Sequence, residues 1–478
     1  MANKSIMKNY VYNAAYQLLI IILPIITTPY LARTLGSDGI GTFGYTFSIV
    51  TYYILFGSLG ISLYGQREIA YVQDNREKRS KIFFELTIFR ICCMAISCFI
   101  FYFNCIKSNI FSMYYKLFIF EMIANCFDIT WFYQGMENFK KTVIRNVIVK
   151  IISIISIFIF IKTSNDLSKY ILIYSIGNLI SHLVLWIDLK KYIKIPEKIQ
   201  PFHHYKEIMV FFIPQIAIQI YTVLDKTMIG IIISKMSEVG YYEQSQKVIK
   251  LILSLVTALG TVMLPRIANC YADGNNNLIK KYMINTFKFV FMISIPMALG
   301  IIAVSDNFSP LFFGPGFEKV TLILSILSVV IILIGLSNVT GTQYLLPTKR
   351  QKENTISVIS GACVNFCLNL ILIKYFATYG AAVATVIAEL CVTVIQLYYI
   401  RNEFNVFRII KLSKNYVISG ILMFTFCIAI NTLINNYVYA LIIQVCIGII
   451  SYFVVLYILK DDMIFMIIDK LKKILKRS

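Results

Sequence analysis

An apolar stretch near the middle of the chain carries two adjacent ions. Residues 210–233, VFFIPQIAIQIYTVLDKTMIGIII, are long enough to cross a bilayer, for which roughly 20 residues suffice. Asp225 and Lys226 lie inside this stretch. Charges in a membrane-spanning helix are unfavourable unless they face a protein interior or a water-filled cavity. The pair is therefore predicted to line a cavity, with mutual neutralisation of the two ions as the alternative.

The next apolar segment carries a regular polar pattern. Its polar residues recur at steps of three and four, which places their side chains on one face of a helix. A helix surrounded by lipid would not keep such a face, so this segment is also predicted to line a cavity. The pattern comprises Glu243, Lys247, Lys250, Ser254, Thr257 and Thr261.

Carboxylates inside apolar segments are candidates for ion coupling, because such groups mark proton and ion pathways in membrane proteins. Asp128 is predicted to share a helix face with Glu121 and Asn125, and Glu389 lies in the middle of a later segment. A structural hydrogen bond is the alternative role for each. The predicted coupling or cavity-lining residues are Asp128, Asp225, Glu243 and Glu389, with H⁺ or Na⁺ as the coupling ion.

Other polar residues within the apolar segments have simpler interpretations. Asn365 and Asn369 follow Gly361 at steps of four, and such asparagines often join neighbouring helices by hydrogen bonds. Arg90 is predicted within a turn or two of the inner membrane surface, to which its long side chain can extend. Binding of a ligand is the alternative for the two asparagines.

The composition is that of an integral membrane protein. The 478 residues are 58% hydrophobic and 14% charged, with a mean hydropathy of +0.73, whereas soluble domains are about 25% charged. The three histidines and eleven cysteines show no metal-ligand spacing. No catalytic constellation can be assembled from them, so neither an enzyme nor a metal site is predicted.

Alternating apolar and polar segments predict an all-α protein with about 14 transmembrane helices. The connections are short, so no appended soluble domain is expected. The predicted spans are 10–32, 42–65, 84–105, 114–134, 146–164, 169–188, 207–230, 239–264, 284–306, 318–346, 355–375, 378–400, 415–434 and 438–459.

The lysines and arginines that give the net charge of +21 are concentrated in alternate connections between the predicted spans. If the N-terminus is cytoplasmic, the inner connections and termini hold 31 lysines and arginines and the outer connections hold 8. This bias predicts that both termini are cytoplasmic, by the positive-inside rule. The charge is therefore not an indication of nucleic-acid binding.

The two halves of the chain resemble each other at an offset of 199 residues. Gly41 precedes Arg67 by 26 residues, and Gly240 precedes Arg266 by the same distance. Both halves begin on the same side of the membrane, which indicates a parallel repeat and a substrate site between two bundles. The predicted organisation is a six-helix bundle in 1–200, a second in 201–402, and two extra helices with a basic cytoplasmic tail in 403–478.

Several ordered motifs resemble those of the Wzx-type polysaccharide flippases of the multidrug/oligosaccharidyl-lipid/polysaccharide superfamily. Together they extend from the first to the twelfth predicted span. The motifs are PYLARTLGSDGIG at 29–41, DITWFYQG at 128–135, LDKTMIG at 224–230, GTQYLLP at 341–347, Gly361 with Asn365 and Asn369, and GAAVAT at 380–385.

The resemblance implies two six-helix bundles around a central cavity and transfer of an undecaprenyl-diphosphate-linked oligosaccharide to the outer leaflet. It implies a location in the bacterial cytoplasmic membrane. The implied partners are the bilayer and the lipid-linked sugar, and a polysaccharide polymerase with chain-length machinery is the candidate protein partner. Cationic side chains stabilise a buried diphosphate, and amides hydrogen-bond sugars. The substrate-binding candidates are Arg33, Lys226, Lys247, Lys250, Asn365 and Asn369.

Two other transporters and one enzyme class compete with this interpretation. A cation-coupled multidrug exporter of the same superfamily would need a more acidic cavity than these segments provide. A lipid II flippase shares the substrate chemistry and the number of spans, and the motifs at 29–41 and 341–347 favour the polysaccharide branch. A membrane polymerase or ligase would be expected to have a large outer loop.

Overall fold

The structure, a computed structural model, describes residues 2–107, 109–258, 260–434 and 436–475. Within these ranges the chain consists of helices and short connections, and none of the described residues lies in a β-strand. Eight helical segments of the described chain are long and apolar enough to cross a membrane. Two of them are divided by kinks at Gly36 (φ 70°) and Ala377 (φ 49°), both at predicted connections between spans. The all-α membrane fold with about fourteen spans is confirmed.

Residue contacts divide the chain into two compact units. The first unit comprises Met1–Gly230 with Lys235–Gly240, and the second comprises Ile231–Ser234 with Tyr241–Ser478. The predicted boundary at residue 200 follows the internal repeat and stays a prediction. The first unit contains α1 (Ala2–Ser58), α2 (Ile61–Tyr71), α3 (Arg76–Phe101), α4 (Ser112–Cys126), α5 (Thr130–Gly135), α6 (Phe139–Phe160), α7 (Leu167–Ile187) and α8 (Tyr205–Ile233) up to Gly230.

Apolar and aromatic side chains fill the interior of the first unit. Tyr115 and Phe118 of α4 are almost fully buried among residues of α1, α3 and α7. Near the other end of the unit, Trp131 and Phe132 of α5 pack with Phe83 of α3. Rings of this size contribute large buried areas, and they hold α3, α4 and α7 around the polar residues described below.

The connection between α7 and α8 is hydrogen-bonded to residues of α3. The Arg79 guanidinium donates to the Tyr192 carbonyl at 3.1 Å, and the backbone N–H of Lys194 donates to Ser80 Oγ at 2.9 Å. His204 Nε2 lies 3.0 Å from Glu85 Oε2, immediately before α8 begins. These contacts fix the start of α8 on the first unit.

The predicted span that contains Asp128 is interrupted. The segment predicted as 114–134 forms α4, which ends at Cys126, and α5, which begins at Thr130. Asp128 lies in the break, so the prediction that it continues the helical face of Glu121 is wrong. A helix end leaves backbone groups without helical partners, and the break therefore supplies donors and acceptors beside Asp128.

The second unit has its own helical core. The Asn307 amide donates to Asn431 Oδ1 at 2.7 Å and to Gln444 Oε1 at 3.0 Å, which joins three helices of this unit. Lys476 and Arg477 of the predicted basic tail lie outside the described residues. The helices are α9 (Met236–Thr257, of which 236–240 belong to the first unit), α10 (Gly260–Ala272), α11 (Asn276–Phe313), α12 (Lys319–Ser337), α13 (Gln351–Ile400), α14 (Val406–Leu412), α15 (Lys414–Leu433), α16 (Tyr437–Ile458) and α17 (Asp462–Leu475).

Candidate functional site

The adjacent ions of α8 are buried in the protein. Asp225 is 3% exposed and Lys226 is 8% exposed. The next residue, Thr227, places its hydroxyl oxygen 2.9 Å from Ser48 Oγ and 3.2 Å from the Tyr52 hydroxyl, both on α1. Helix α8 therefore packs closely against the second half of α1. The burial agrees with the expectation that the ions avoid lipid, and their role in lining a cavity stays a prediction.

Arg33 lies on α1, whereas Lys226 lies on α8 next to Thr227, which contacts a different part of α1. Arg33 is exposed and precedes the Gly36 kink by three residues. Ser48, which faces Thr227, follows that kink by twelve residues, or about 18 Å at 1.5 Å per helical residue. Along α1, Arg33 therefore lies about one turn from the kink, whereas the contact with the helix of Lys226 lies about three turns from it. Their convergence on one diphosphate stays a prediction.

The polar face of α9 is partly paired within its own helix. Lys247 Nζ lies 3.4 Å from Glu243 Oε1, one helical turn away, and Lys250 Nζ donates to Gln246 Oε1 at 3.1 Å. The Lys247 side chain is 32% exposed, whereas the Glu243 side chain is 11% exposed. The described part of the predicted polar pattern therefore offers two ammonium groups, one of them beside a carboxylate.

The two asparagines of α13 are fully buried. Asn369 Nδ2 donates to Asn365 Oδ1 at 3.0 Å. One turn earlier, a Cβ on Gly361 would overlap the Val392 side chain of the second half of α13. The hydrogen bond between Asn365 and Asn369 lies within one helix, so both the interhelical role of the asparagines and their contact with sugar stay predictions.

Glu389 lies in the second half of α13 and is 6% exposed. The hydroxyl of Thr393, one turn later, donates to the Glu389 carbonyl at 2.9 Å and lies 3.1 Å from the Leu333 carbonyl of α12. Glu389 therefore lies beside the contact between α12 and α13. A coupling role for it stays a prediction.

A second group of polar residues lies within the first unit, where α7 packs against α4. Three side chains of α7, spaced four residues apart, each meet a polar partner. Asn178 Nδ2 donates to Glu121 Oε2 at 2.9 Å, His182 Nδ1 lies 3.2 Å from Asp128 Oδ1, and Trp186 Nε1 donates to the Phe127 carbonyl at 2.8 Å. Glu121 also accepts from Asn125 Nδ2 at 3.2 Å through Oε1.

Asp128 has a fixed cationic partner. Arg90 Nη2 lies 3.6 Å from Asp128 Oδ2, and Arg90 Nη1 donates to the Asp128 carbonyl at 3.0 Å. The backbone N–H of Thr130, freed by the break between α4 and α5, donates to Asp128 Oδ1 at 2.9 Å. Arg90 is 2% exposed, so the prediction that it extends to the membrane surface is wrong. Arg90, Glu121, Asp128 and His182 are called the charge cluster below.

No role is predicted from the sequence for His182 or Asn178. The signal available was the spacing of Asn178, His182 and Trp186, which places three hydrogen-bonding groups on one face of an apolar helix. The spacing identifies that face, but it does not identify the helix opposite. The partners depend on how α4 ends, and the apolar pattern of 114–134 continues through the break.

Comparisons with known proteins agree with the fold. The family model described as "Polysaccharide biosynthesis protein" matches residues 6–271. A protein of Escherichia coli (strain K12) named "Putative O-antigen transporter" is 25% identical over 409 residues, which are 84% of this chain and 97% of that protein.

Two solved structures share the architecture. The lipid II flippase MurJ in an inward closed conformation superposes with a TM-score of 0.78 at 20% identity, covering 95% of this chain and all of that one. An inward-facing multidrug resistance MATE family transporter of the MOP superfamily gives a TM-score of 0.64 at 13% identity, covering 84% of this chain and 96% of that one. At these identities the likeness establishes the fold alone.

Proposed function

The chain belongs to the polysaccharide biosynthesis protein family, and on that premise we propose that it is a flippase for lipid-linked oligosaccharides. It moves an undecaprenyl-diphosphate-linked repeat unit from the cytoplasmic to the outer leaflet of the bacterial cytoplasmic membrane. The O-antigen transporter of E. coli, matched over nearly its whole length, supports this substrate class. The predicted polymerase and chain-length machinery would then use the exported units.

The burial of Lys226, within a helix predicted to span the membrane, is the observation that carries the proposal. A diphosphate entering a low-dielectric interior needs compensating positive charge, and charge-assisted hydrogen bonds from Lys or Arg provide it. Lys226 is 8% exposed and sits beside Asp225, which keeps the site nearly neutral before the substrate arrives. Arg33, Lys247 and Lys250 are the other proposed phosphate contacts.

The sugar portion needs a different kind of contact. Hydroxyl-rich ligands bind side chains that both donate and accept hydrogen bonds, and aromatic faces that cover their apolar patches. Asn365 and Asn369 are the proposed amide contacts. Both are fully buried, so sugar would reach them only after α13 separates from its neighbours. Their proposed role therefore includes a change of packing during transport.

Export against a gradient needs an energy source, and we assign it to H⁺ or Na⁺. Asp225, Glu243 and Glu389 are buried carboxylates of α8, α9 and α13, and Asp128 belongs to the charge cluster. Buried carboxylates exchange protons or bind cations when helices repack around them. Replacing each by its amide tests which of the four senses the ion gradient.

The multidrug and lipid II transporters remain distinct alternatives with the same fold. Neither structural likeness specifies a substrate for this chain, whereas the family match concerns polysaccharide biosynthesis and the E. coli relative is named as an O-antigen transporter. Deleting the gene in its native host separates the alternatives. Loss of one surface polysaccharide, with lipid-linked repeat units accumulating inside, is expected. Arrest of peptidoglycan synthesis instead would identify a lipid II flippase.

A further inference from the structure

A groove lies between α11 and α14 in the second unit. Helix α11 forms one wall with Lys280, Ile284 and Lys288, which are spaced four residues apart and therefore share a face. Residues 403–405 and α14 form the other wall. The groove contains a cavity of about 350 Å³, which adjoins a second cavity of about 450 Å³, and Lys280 lines both. Ligand sites commonly have volumes of about 300 to about 1,000 Å³.

The groove belongs to the predicted cytoplasmic side of the membrane. Its two cavities bring together residues at or beside the predicted inner connections 265–283, 347–354 and 401–414. Helix α14 also carries two large exposed apolar side chains, with Phe407 78% exposed and Ile410 57% exposed. Exposed apolar residues on a helix that also carries cations are typical of segments in the headgroup region of a bilayer. The groove is therefore expected to lie at the level of the lipid phosphates.

Two cations line opposite walls of the groove. Lys280 belongs to α11 and Arg408 to α14, and both are exposed. Neither side chain forms an ion pair or a hydrogen bond within the part of the chain that the structure describes. Lysine and arginine bind phosphate through charge-assisted hydrogen bonds. Because both side chains line one cavity, they are placed to contact an anion that enters it.

The other charged groups of the groove are already paired. Arg350 Nη1 lies 3.0 Å from Glu403 Oε1, and Arg350 Nε lies 3.1 Å from Glu353 Oε1. Glu403 is the one carboxylate among the described residues that line the two cavities, and Arg350 compensates its charge. Lys288 Nζ lies 2.9 Å from Asp462 Oδ2. The two remaining cations of the groove give it an affinity for an anionic ligand.

We propose that this groove binds the phosphate headgroup of an anionic membrane lipid, with Lys280 and Arg408 as the phosphate contacts. Basic pockets between membrane helices on the cytoplasmic side suit such headgroups. Ile284 and Ile409 add apolar surface to the two walls, against which the first methylenes of an acyl chain can pack. The transported substrate is expected between the two bundles, whereas every lining residue of this groove belongs to the second unit. The bound lipid joins α11 to α14 and is not itself the transported molecule.

Photo-crosslinking of the full-length protein in lipid nanodiscs tests the site. The nanodiscs contain either phosphatidylglycerol or phosphatidylcholine with a photoreactive group near the headgroup, and mass spectrometry measures the yield on peptides that cover 276–288 and 402–412. We expect a yield about tenfold higher with phosphatidylglycerol, because two cations favour a headgroup with net negative charge over one with none. Equal yields from the two lipids overturn the proposal.

Matched double variants separate the site from general positive charge. Lys280→Ala with Arg408→Ala removes the two cations of the groove. Lys281→Ala with Lys411→Ala removes two exposed lysines of the same helices that do not line it. The first pair should lower the phosphatidylglycerol yield about tenfold, and the second should leave it nearly unchanged. Equal yields from the two double variants contradict the site. If the first pair does not fold, the wild-type comparison of the two lipids still decides.

Competitors distinguish a membrane lipid from other phosphates. Excess inorganic phosphate should leave the phosphatidylglycerol yield unchanged, because a soluble anion lacks the apolar contact with the walls. Displacement by inorganic phosphate would assign the groove to a soluble anion, and preferential displacement by an undecaprenyl-diphosphate oligosaccharide would assign it to the transported substrate. Either result overturns the proposal. Crosslinking at the groove needs no transport, so this test and the test of the proposed function can fail independently.

Discussion

Gly41 and Gly240 pack backbone to backbone within the first unit. A Cβ on Gly41 would overlap the Met236 carbonyl oxygen, and a Cβ on Gly240 would overlap the Ser37 carbonyl oxygen. The contact is reciprocal. Gly41 and Gly240 are 199 residues apart, and so are Ser37 and Met236. The internal repeat seen in the sequence thus recurs in a physical contact, where each glycine permits the close approach of the other segment.

Substitution of Gly41 by Ala is expected to destabilise the protein. The added methyl group meets a backbone oxygen, which cannot move aside as a flexible side chain can, and forced overpacking costs about 1–3 kcal/mol. Thermal unfolding of the purified protein in detergent measures the effect. Gly300→Ala is the control, because its Cβ would lie 3.9 Å from Met423 Cε. Equal stability of the two variants would contradict the close contact.

The sequence predicted the internal repeat but neither this contact nor the charge cluster, for a physical reason. The repeat preserved Gly41 and Gly240 at one offset, and glycines at equivalent positions indicate equivalent backbone approaches. His182 has no such counterpart, and its partner Asp128 lies where a helix breaks within an apolar run. Periodicity specifies which face of a helix is polar, whereas the partner depends on helix ends and packing.

Replacing Lys226 by Ala is expected to lower substrate binding about tenfold to a hundredfold, because a charge-assisted contact to a buried phosphate contributes about 1.5–3 kcal/mol. Export of surface polysaccharide should fail while the protein remains in the membrane. Lys226→Arg should keep part of the activity. If Lys226 only neutralises Asp225, the double variant Asp225→Asn, Lys226→Gln should restore what each single change loses. Full rescue would assign Lys226 a structural role.

Arg33 is expected to bind phosphate through its planar guanidinium. Arg33→Ala should impair export, and Arg33→Lys should retain only part of it, because a two-pronged donor becomes a point charge. Lys116→Ala provides the control, since Lys116 is also exposed and also belongs to the predicted outer set. Surface polysaccharide measured per molecule of membrane-inserted protein reports the effect. Equal export by the Arg33→Ala and Lys116→Ala variants would remove Arg33 from the binding site.

The predicted topology can be tested with two exposed positions. Ile110 is 90% exposed in a predicted outer connection, and Ile195 is 86% exposed in a predicted cytoplasmic one. In a cysteine-free background, a membrane-impermeant thiol reagent should modify Ile110→Cys in intact cells and Ile195→Cys only after lysis. The same approach places both termini. Modification of position 195 from outside would reverse the orientation derived from the charge bias.

Flipping by the purified protein is the most direct test of its proposed function. Full-length protein is reconstituted into vesicles with a fluorescent undecaprenyl-diphosphate oligosaccharide, and an impermeant reagent that destroys the exposed sugar reports which leaflet holds it. In vesicles with the wild-type protein, sugar that starts in the inner leaflet should become accessible to the reagent far faster than in protein-free vesicles. Vesicles with the Lys226→Ala variant should show the same slow rate as the protein-free ones. Equal rates with and without the wild-type protein, under imposed proton and sodium gradients, would contradict the assignment as a flippase.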